Sequence, residues 1–382
     1  MYKQLILSLY LPTAISSCVR NSASESISPL VLSPEPWTYI DQYTLPERWD
    51  WRNVSGINYV TTALNQHIPV YCGSCWLHAG IATLNDRLKI ARNARWPEIT
   101  LARQVLLNCG GTEAGNCSGG SDYGVYVFAH RYGIPDDTCQ PYVAKELECD
   151  FKGNCANCDP DLSLLRDQGL RTPDHDSPSH SHRIKIRSDQ VPNENCYAVQ
   201  RYGRFFVTEY GKMIKPEIWK MQAEIWKRGP ISCSVDAEAL EYAKYKPGDI
   251  INASLDSSDH RIADVKTSWE PDHDVSVVGW DADEHGIFWI VRNSWGSYWG
   301  DHGWFKVRAG FNSMGIEDLC HWAVIDAEPR VEDYGPSDCS RVFASSPYAV
   351  ADNECFQKSV IPRMYRGTQV VRRKVTLRGG KL

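Results

Sequence analysis

Apolar residues recur at a helical spacing just after position 75. The four that define the pattern are Leu77, Ile81, Leu84 and Leu88. Residues three to four positions apart lie on one face of an α-helix, so the pattern predicts a helix with a buried stripe. Because the stripe starts directly after Cys75, we expect Cys75 to lie at or near the N-terminus of this helix.

The second half of the chain predicts one helix followed by strands. Residues 216–228, PEIWKMQAEIWKR, have helical spacing and stop at the pair Gly229-Pro230, which typically ends a helix. Two short apolar runs, DVSVVGW at 274–280 and IFWIVR at 287–292, are typical of buried strands.

Several segments do not follow these patterns. Residues 18–44 hold many Ser and Pro and predict an extended arm that cannot fold alone. Residues 109–158 are dense in Cys and Gly, as a disulfide-stapled loop region would be. Residues 159–195 form a polar stretch that predicts an exposed insertion. Residues 329–382 form a poorly patterned C-terminal extension with a basic end.

Composition points to the secretory pathway. Fourteen cysteines in 382 residues suggest disulfides and an oxidising compartment. Lys3 followed by the apolar run 5–11 and by small residues predicts a signal peptide over residues 1–17. The net charge of −6 gives no argument for nucleic-acid binding. We expect a secreted protein or one of a lysosome- or vacuole-like compartment.

Three N-x-S/T sequons, at Asn53, Asn116 and Asn252, are candidate glycosylation sites in such a compartment. No apolar run outside the N-terminus reaches the length of a transmembrane helix, so we expect no stable membrane insertion.

The segment NQHIPVYCGSCW at 65–76 holds a C-x-x-C pair, which allows three kinds of chemistry. Cys72 and Cys75 could be half of a zinc site, with a second C-x-x-C at Cys155 and Cys158 as the other half. They could be a redox pair, although the βαβ pattern that such a pair favours is absent. Cys75 could instead be a nucleophile beside a structural cysteine.

Distant residues favour the nucleophile. A helix N-terminus and a neighbouring imidazole both lower the pKa of a thiol. His273 stands at the start of one predicted strand, and Asn293 stands at the end of the next. An asparagine amide can orient an imidazole as the third member of a triad. Trp295 and Trp299 could shield that hydrogen bond from water.

Here the chain resembles a known family. The motif QxxxxxCGSCW, a later DH before an apolar strand, and RNSWG occur in the order found in papain-like cysteine peptidases, over roughly residues 45–325. The resemblance implies an α+β papain-like fold for residues 45–328, with a helical lobe, a sheet-based lobe and a cleft between them. It implies that Cys75 is the nucleophile, His273 the acid/base, Asn293 its orienting residue and Gln66 an oxyanion-hole donor.

The resemblance also implies disulfide partners and cleft residues. Gly119 and Gly120 match a glycine pair that lets substrate approach the cleft wall, and we include Trp295 among the substrate-contacting residues. The implied pairs are Cys72–Cys117, Cys109–Cys149, Cys139–Cys155, Cys158–Cys196 and Cys233–Cys320. For the tail we predict Cys339–Cys355.

An insertion narrows the resemblance to one branch. Gln66 stands nine residues before Cys75 instead of the usual six, because His67, Ile68 and Pro69 are added. The cathepsin X (cathepsin Z) branch carries such an insertion, and its histidine binds the C-terminal carboxylate of the substrate. The resemblance therefore implies a carboxypeptidase that removes single residues, with His67 as the carboxylate anchor.

Three further features complete the prediction. In this branch a short propeptide bears a cysteine that bonds the catalytic one, and Cys18 in SSCVRN could do the same. Leu77 and Asp274 depart from the family pattern. We expect the Asp274 carboxylate either to raise the pKa of His273 or to face solvent.

The predicted activity is peptide hydrolysis through an acyl-thioester, with no metal and no organic cofactor. The expected partners are peptide or protein substrates and proteinaceous cysteine-peptidase inhibitors, and we expect a monomer. Two alternatives stay open: an endopeptidase or dipeptidase, and an inactive papain-fold binding protein.

Overall fold

The computed structural model describes residues 18–19, 22–158, 196–237, 240, 245–252 and 270–333. The helices with described bounds are α1 (Cys75–Ala91), α2 (Arg103–Cys109), α3 (Gly111–Ala114), α4 (Asp122–Tyr132), α5 (Phe151–Asn154) and α6 (Ile218–Arg228). The strands of the main sheet are β1 (Trp49–Asp50), β7 (Val207–Ile214), β8 (Ile231–Val235), β9 (His273–Asp283), β10 (Gly286–Arg292), β11 (Trp304–Arg308) and β12 (Leu319–Ile325). Three short pairs are β2 (Gly115–Asn116) with β3 (Gly119–Gly120), β4 (Ala156–Cys158) with β5 (Cys196–Ala198), and β6 (Arg201–Arg204) with β13 (Arg330–Asp333).

The helix predicted after position 75 begins at Cys75 itself. All four residues of its apolar stripe are buried, so the hydrophobic spacing located the element correctly. The helix predicted over 216–228 is α6, and it ends before Gly229, which has a positive φ of 116° that favours glycine. The two predicted strands are β9 and β10.

The main sheet is antiparallel throughout, in the order β11-β10-β9-β8-β12-β7, with β1 pairing to β9. Since β9 and β10 are antiparallel neighbours, the start of β9 and the end of β10 meet at one edge. His273 opens β9, and Asn293 follows β10 directly. The sheet therefore brings these two residues together.

Two apolar cores divide the molecule into lobes. One core surrounds α1, α2 and α4 and includes Trp76 and Phe128. The other fills the sheet and includes Trp280, Trp289 and Trp322. Helix α1 packs against α2 and α4 and also against β8, β9 and β12. This is the predicted α+β two-lobe fold, and α1 is the element shared between its lobes.

The arm over residues 18–44 differs from a simple extended segment. It forms 3₁₀ turns at Ala23–Ser26, Pro36–Thr38 and Gln42–Thr44. Leu30 pairs with Tyr210 of β7, and the backbone N–H groups of Leu32 and Ser33 donate to the Glu209 carboxylate at 2.9 Å. The arm therefore folds onto the sheet lobe.

Other predictions fall where the structure is not described. They are the signal peptide at 1–17, the insertion at 159–195, the tail beyond residue 333 and the Cys339–Cys355 pair. Within the described residues, no helix combines the length and apolarity that crossing a membrane requires.

Candidate active site

Cys75 is the first residue of α1 and is fully buried. The positive end of the helix dipole and the free N–H groups of the first turn favour a negative charge at this point. A thiolate at Cys75 would therefore be stabilised by the helix on which it lies, as the sequence predicts.

His273 and Asn293 form a hydrogen-bonded pair beside this cysteine. The Nε2–H of His273 donates to Asn293 Oδ1 at 2.8 Å. Because Nε2 holds the proton in this bond, the neutral ring presents the lone pair of Nδ1 on its other side. The Trp295 ring lies 5.1 Å from the His273 ring, and Trp299 packs on Trp295 at 5.2 Å. The two tryptophans cover the pair, as expected.

The sulfur of Cys75 is bonded to Cys18 in this structure. Cys18 Sγ lies 3.6 Å from His273 Nδ1, so the disulfide occupies the space between the imidazole and α1. Backbone contacts hold Cys18 on both sides: its N–H donates to Asp272 O at 3.0 Å, and its carbonyl accepts from the Gly120 N–H at 3.1 Å. The bond between Cys18 and Cys75 predicted from the resemblance is therefore present.

We call the Cys18–Cys75 disulfide the latch. While it is intact, His273 is neutral over most of the pH range. Burial lowers its pKa to about 4, while the bond to Asn293 raises the pKa and the charge of His67 lowers it. A disulfide carries no charge that could stabilise an imidazolium. Reduction would place a thiolate beside the ring, and that thiolate would raise the pKa of His273.

Gln66, the predicted oxyanion-hole donor, is hydrogen-bonded through both ends of its amide. Its Oε1 accepts from the Ser294 hydroxyl at 2.6 Å, and its Nε2 donates to the Cys72 carbonyl at 3.2 Å. The second bond fixes which end of the amide is the donor, because a carbonyl oxygen can only accept. The Gln66 amide is thereby held against Cys72, three residues before the start of α1.

His67 lies in the inserted loop and is half-buried. Its ring stacks on Tyr71 with centroids 4.6 Å apart, and its backbone N–H donates to Asn65 Oδ1 at 2.9 Å. Within the described residues, nothing hydrogen-bonds the buried Nδ1 of His67. The ring is thus stacked on Tyr71 and holds a buried nitrogen that no described residue satisfies.

The glycine pair contacts the arm where substrate was predicted to lie. Val19 pairs with Gly120 as an isolated parallel bridge. A Cβ on Gly120 would approach the Ala114 carbonyl oxygen to 2.3 Å and the Trp76 ring to 2.7 Å, so a side chain does not fit there. The arm therefore covers the glycine wall of the cleft.

The prediction for Asp274 was wrong. Side chains alternate along a strand, so Asp274 points away from the cleft side that His273 occupies. It is buried, and its Oδ1 accepts from the Ser234 hydroxyl at 2.7 Å. Burial and the charge of Asp122 raise the pKa of Asp274 well above its usual value. The carboxyl therefore neither faces solvent nor supplies the charge that would raise the pKa of His273.

The sequence interpretation missed two residues that support the site. Ser294 orients Gln66, and the Tyr142 hydroxyl donates to the Gln66 carbonyl at 2.7 Å. Ser294 directly follows Asn293, so its closeness to the site could have been inferred from the chain. Tyr142 lies 76 positions from Gln66, and no local pattern marks it.

The disulfide pairs distinguish between the three interpretations of the C-x-x-C segment. Cys72 bonds Cys117 and not Cys75, which excludes a redox pair. Cys155 and Cys158 bond Cys139 and Cys196, so these residues are not free to form the second half of a zinc site. Each pair implied by the resemblance is present: Cys72–Cys117, Cys109–Cys149, Cys139–Cys155, Cys158–Cys196 and Cys233–Cys320.

Comparison with known proteins decides the family. The model of the family described as "Papain family cysteine protease" matches residues 45–324. The chain belongs to the papain family of cysteine proteases. This papain-family chain is cathepsin Z-like: it is 33% identical over 288 residues to "Cathepsin Z" of Onchocerca volvulus, with 73% of this chain and 78% of that protein covered.

More distant papain-family proteins agree on the fold. "Cathepsin B-like cysteine proteinase 4" of Caenorhabditis elegans is 24% identical over 299 residues, which cover 76% of this chain and 78% of that protein. The digestive procathepsin L2 proteinase from Tenebrio molitor larval midgut superposes with a TM-score of 0.55 at 20% identity, covering 81% of this chain and 78% of that chain.

Proposed function

We propose that this papain-family cysteine peptidase is a carboxypeptidase that removes one C-terminal residue at a time. The observation that carries the proposal is the position of His67. His67 directly follows Gln66, whose backbone N–H donates to the Ser294 carbonyl at 2.9 Å, and Ser294 follows Asn293 in the chain. A residue bound with its carboxylate on His67 would have its peptide bond beside Cys75 and His273.

Charge and hydrogen bonding explain why His67 suits a terminal carboxylate. An imidazolium donates a charge-assisted hydrogen bond, which is about twice as strong as a neutral one. Stacking on Tyr71 fixes the ring before substrate arrives, so little side-chain entropy is lost on binding. The inserted loop would also obstruct a chain that continues past the cleaved bond.

The proposed chemistry uses four side chains. The Cys75 thiolate attacks the carbonyl carbon of the last peptide bond, and Gln66 with the Cys75 N–H stabilises the oxyanion. The His273 imidazolium gives its proton to the leaving amine of the C-terminal residue. His273 then takes a proton from water, which attacks the acyl-thioester and releases Cys75. Asn293 keeps the ring oriented throughout.

The latch makes residues 18–44 a propeptide in this proposal. While Cys75 is bonded to Cys18 it has no thiolate, and the arm covers the glycine wall. Activation requires a thiol reductant that supplies two electrons and two protons and becomes oxidised. The proposal also includes peptide or protein substrates, proteinaceous inhibitors, a monomeric state, and a secreted or lysosome-like location.

Replacing His67 is expected to separate the carboxypeptidase mode from the basic chemistry. After reduction and removal of the arm, His67→Ala should lower kcat/KM for a peptide with a free C-terminus by about 10- to 100-fold, the value of a hydrogen bond to a charged group. The wild type should spare the same peptide with an amidated end. Mass spectrometry of the products measures both.

His285→Ala is the matched control, because His285 is an exposed histidine in the β9–β10 turn. This variant should behave like the wild type. Equal internal cleavage of the free and amidated peptides would reject the carboxypeptidase mode and keep the cysteine peptidase.

The contribution of His67 is expected to decline as pH rises. Burial lowers the pKa of His67 from its usual 6.5, so the free ring is cationic only in acid. A bound carboxylate favours the cation, and that preference is lost once the ring deprotonates. The ratio of kcat/KM for wild type over His67→Ala should therefore fall as pH rises through the region of that pKa. A ratio that is constant from acidic to neutral pH would show that His67 acts without its charge.

A further inference from the structure

Three possible metal ligands meet at the latch. One ligand atom from each of Cys18, Cys75 and His273 lies within 4.8 Å of the other two. All three residues are buried, with exposed fractions of 5%, 0% and 3%. The sulfurs are bonded to each other in this structure, so the cluster becomes a set of ligands only when that bond is reduced.

We propose that the reduced latch binds a thiophilic divalent cation of the zinc type, which holds the arm in the cleft after the disulfide is gone. The ligands are the two thiolates and His273 Nδ1. This inference goes beyond the proposed peptidase mode. Binding of the ion does not depend on peptidase activity. Inhibition by the ion does, because it requires Cys75 to be the nucleophile.

The imidazole is oriented for coordination. Its Nε2–H donates to Asn293 Oδ1 at 2.8 Å, so Nδ1 carries the lone pair and faces Cys18 Sγ. A hydrogen bond from the second ring nitrogen is the arrangement that fixes the tautomer of metal-bound histidines. Asn293 would therefore serve as the outer partner of the ligand.

The distances suit a tetrahedral centre. Sulfur and nitrogen atoms bound to zinc at their usual lengths lie about 3.6 Å apart. Cys18 Sγ and His273 Nδ1 are already separated by 3.6 Å. The two sulfurs must part to about 3.8 Å, the separation that two thiolates take on one zinc ion. Three protein ligands leave the fourth position of the tetrahedron to a water molecule, as in other three-ligand zinc sites.

Backbone contacts keep Cys18 in place once the disulfide opens. The bonds of Cys18 to Asp272 and Gly120 do not depend on its sulfur. Further along the arm, Lys212 Nζ donates to the Glu25 carboxylate at 2.9 Å and to the Glu25 carbonyl at 3.0 Å. The arm is thus still positioned to present the Cys18 thiol to the ion.

Reduction of the disulfide and binding of the cation are two separate steps. An external dithiol supplies two electrons and two protons to the Cys18–Cys75 bond and leaves as its own disulfide. The cation then replaces the two thiol protons, which pass to water, and accepts the Nδ1 lone pair. Removal of the ion by a chelator returns two thiols, and the arm can then leave.

Cobalt(II) is the probe, because its thiolate charge-transfer and ligand-field bands report how many sulfurs bind. The untrimmed chain is reduced until two free thiols per chain have formed. Co²⁺ is then titrated in, and Zn²⁺ is added afterwards to displace it. We expect one ion per chain with a two-thiolate spectrum. The unreduced chain is the control, since it keeps every other surface ligand and should lack this spectrum.

Cys18→Ser and Cys18→Ala keep Cys75 and His273 but remove one sulfur. Each should weaken Co²⁺ binding by more than about 10-fold, because even disturbing an outer partner costs that much. Each should also lose the two-thiolate intensity. The inference is overturned if the reduced wild type binds no more Co²⁺ than the unreduced chain. It is equally overturned if both variants keep the affinity and spectrum of the wild type.

Discussion

Cys75→Ser is expected to lower kcat/KM by at least about 10³-fold in the reduced chain trimmed to Leu45, since loss of a catalytic nucleophile has effects of this size or larger. The structure explains why one atom should matter so much. The first turn of α1 and the His273 ring can stabilise a thiolate, whereas a serine hydroxyl stays protonated at neutral pH. Steady-state hydrolysis of a peptide with a free C-terminus measures the loss.

Trimming removes residue 18, so the companion variant Cys18→Ser is tested in the untrimmed chain. It breaks the same disulfide and also replaces a sulfur with an oxygen, but it leaves Cys75 intact. In the untrimmed chain, Cys18→Ser should allow an epoxide-type inhibitor to label Cys75 without a reductant each time the arm lifts from the cleft, while the wild type should need a reductant. A trimmed Cys75→Ser chain that keeps wild-type activity would remove Cys75 from the mechanism.

Much of the site could be predicted because its information is local. The stripe after Cys75 fixes the start of α1, and the apolar runs fix β9 and β10. Once two adjacent antiparallel strands are assumed, the start of one and the end of the other must meet, which brings His273 to Asn293. The disulfide pairs came from the resemblance, because spacing alone leaves many pairings open.

The buried polar residues could not be predicted, because their positions depend on contacts between residues far apart in the sequence. Ser234, the hydrogen-bond partner of Asp274, lies 40 positions away, and no local sequence pattern predicts this contact. Charged residues are usually exposed, so a prediction from sequence places them at the surface by default. Several here are buried because a partner on the other lobe satisfies them, and that partner appears only after folding.

Three buried polar pairs connect elements of the two lobes. The Arg87 guanidinium of α1 donates to Glu224 of α6 at 2.9 Å. The Nδ1 atom of His321 on β12 lies 2.8 Å from the Asp122 carboxylate of α4. The third pair joins Asp86 of α1 to Arg292 of β10. Among them, the Asp86–Arg292 pair joins α1, which bears Cys75, directly to the sheet, which bears His273.

The Asp86–Arg292 pair is expected to contribute the most when broken. The exposed fractions of the two side chains are 0% and 2%. Asp86 Oδ1 also accepts from the Thr61 N–H and hydroxyl at 2.8 and 2.9 Å. Asp86→Ala would leave the Arg292 guanidinium buried without a carboxylate and the Thr61 donors without an acceptor. We expect a loss of about 3–5 kcal/mol in the free energy of unfolding, the usual cost of stranding one partner of a buried ion pair.

Glu217→Ala provides the comparison, because the Glu217–Lys220 pair is also in direct contact, with an N···O distance of 2.9 Å, but has exposed fractions of 66% and 33%. Solvent screens such a pair, so its loss should change the free energy of unfolding far less than Asp86→Ala does. Denaturant unfolding of both variants at neutral pH measures the difference. Equal, small shifts would mean that Arg292 finds another partner or water once Asp86 is gone. A large shift for Asp86→Ala alone would establish this pair as a main connection between the lobes, next to the residue that orients His273.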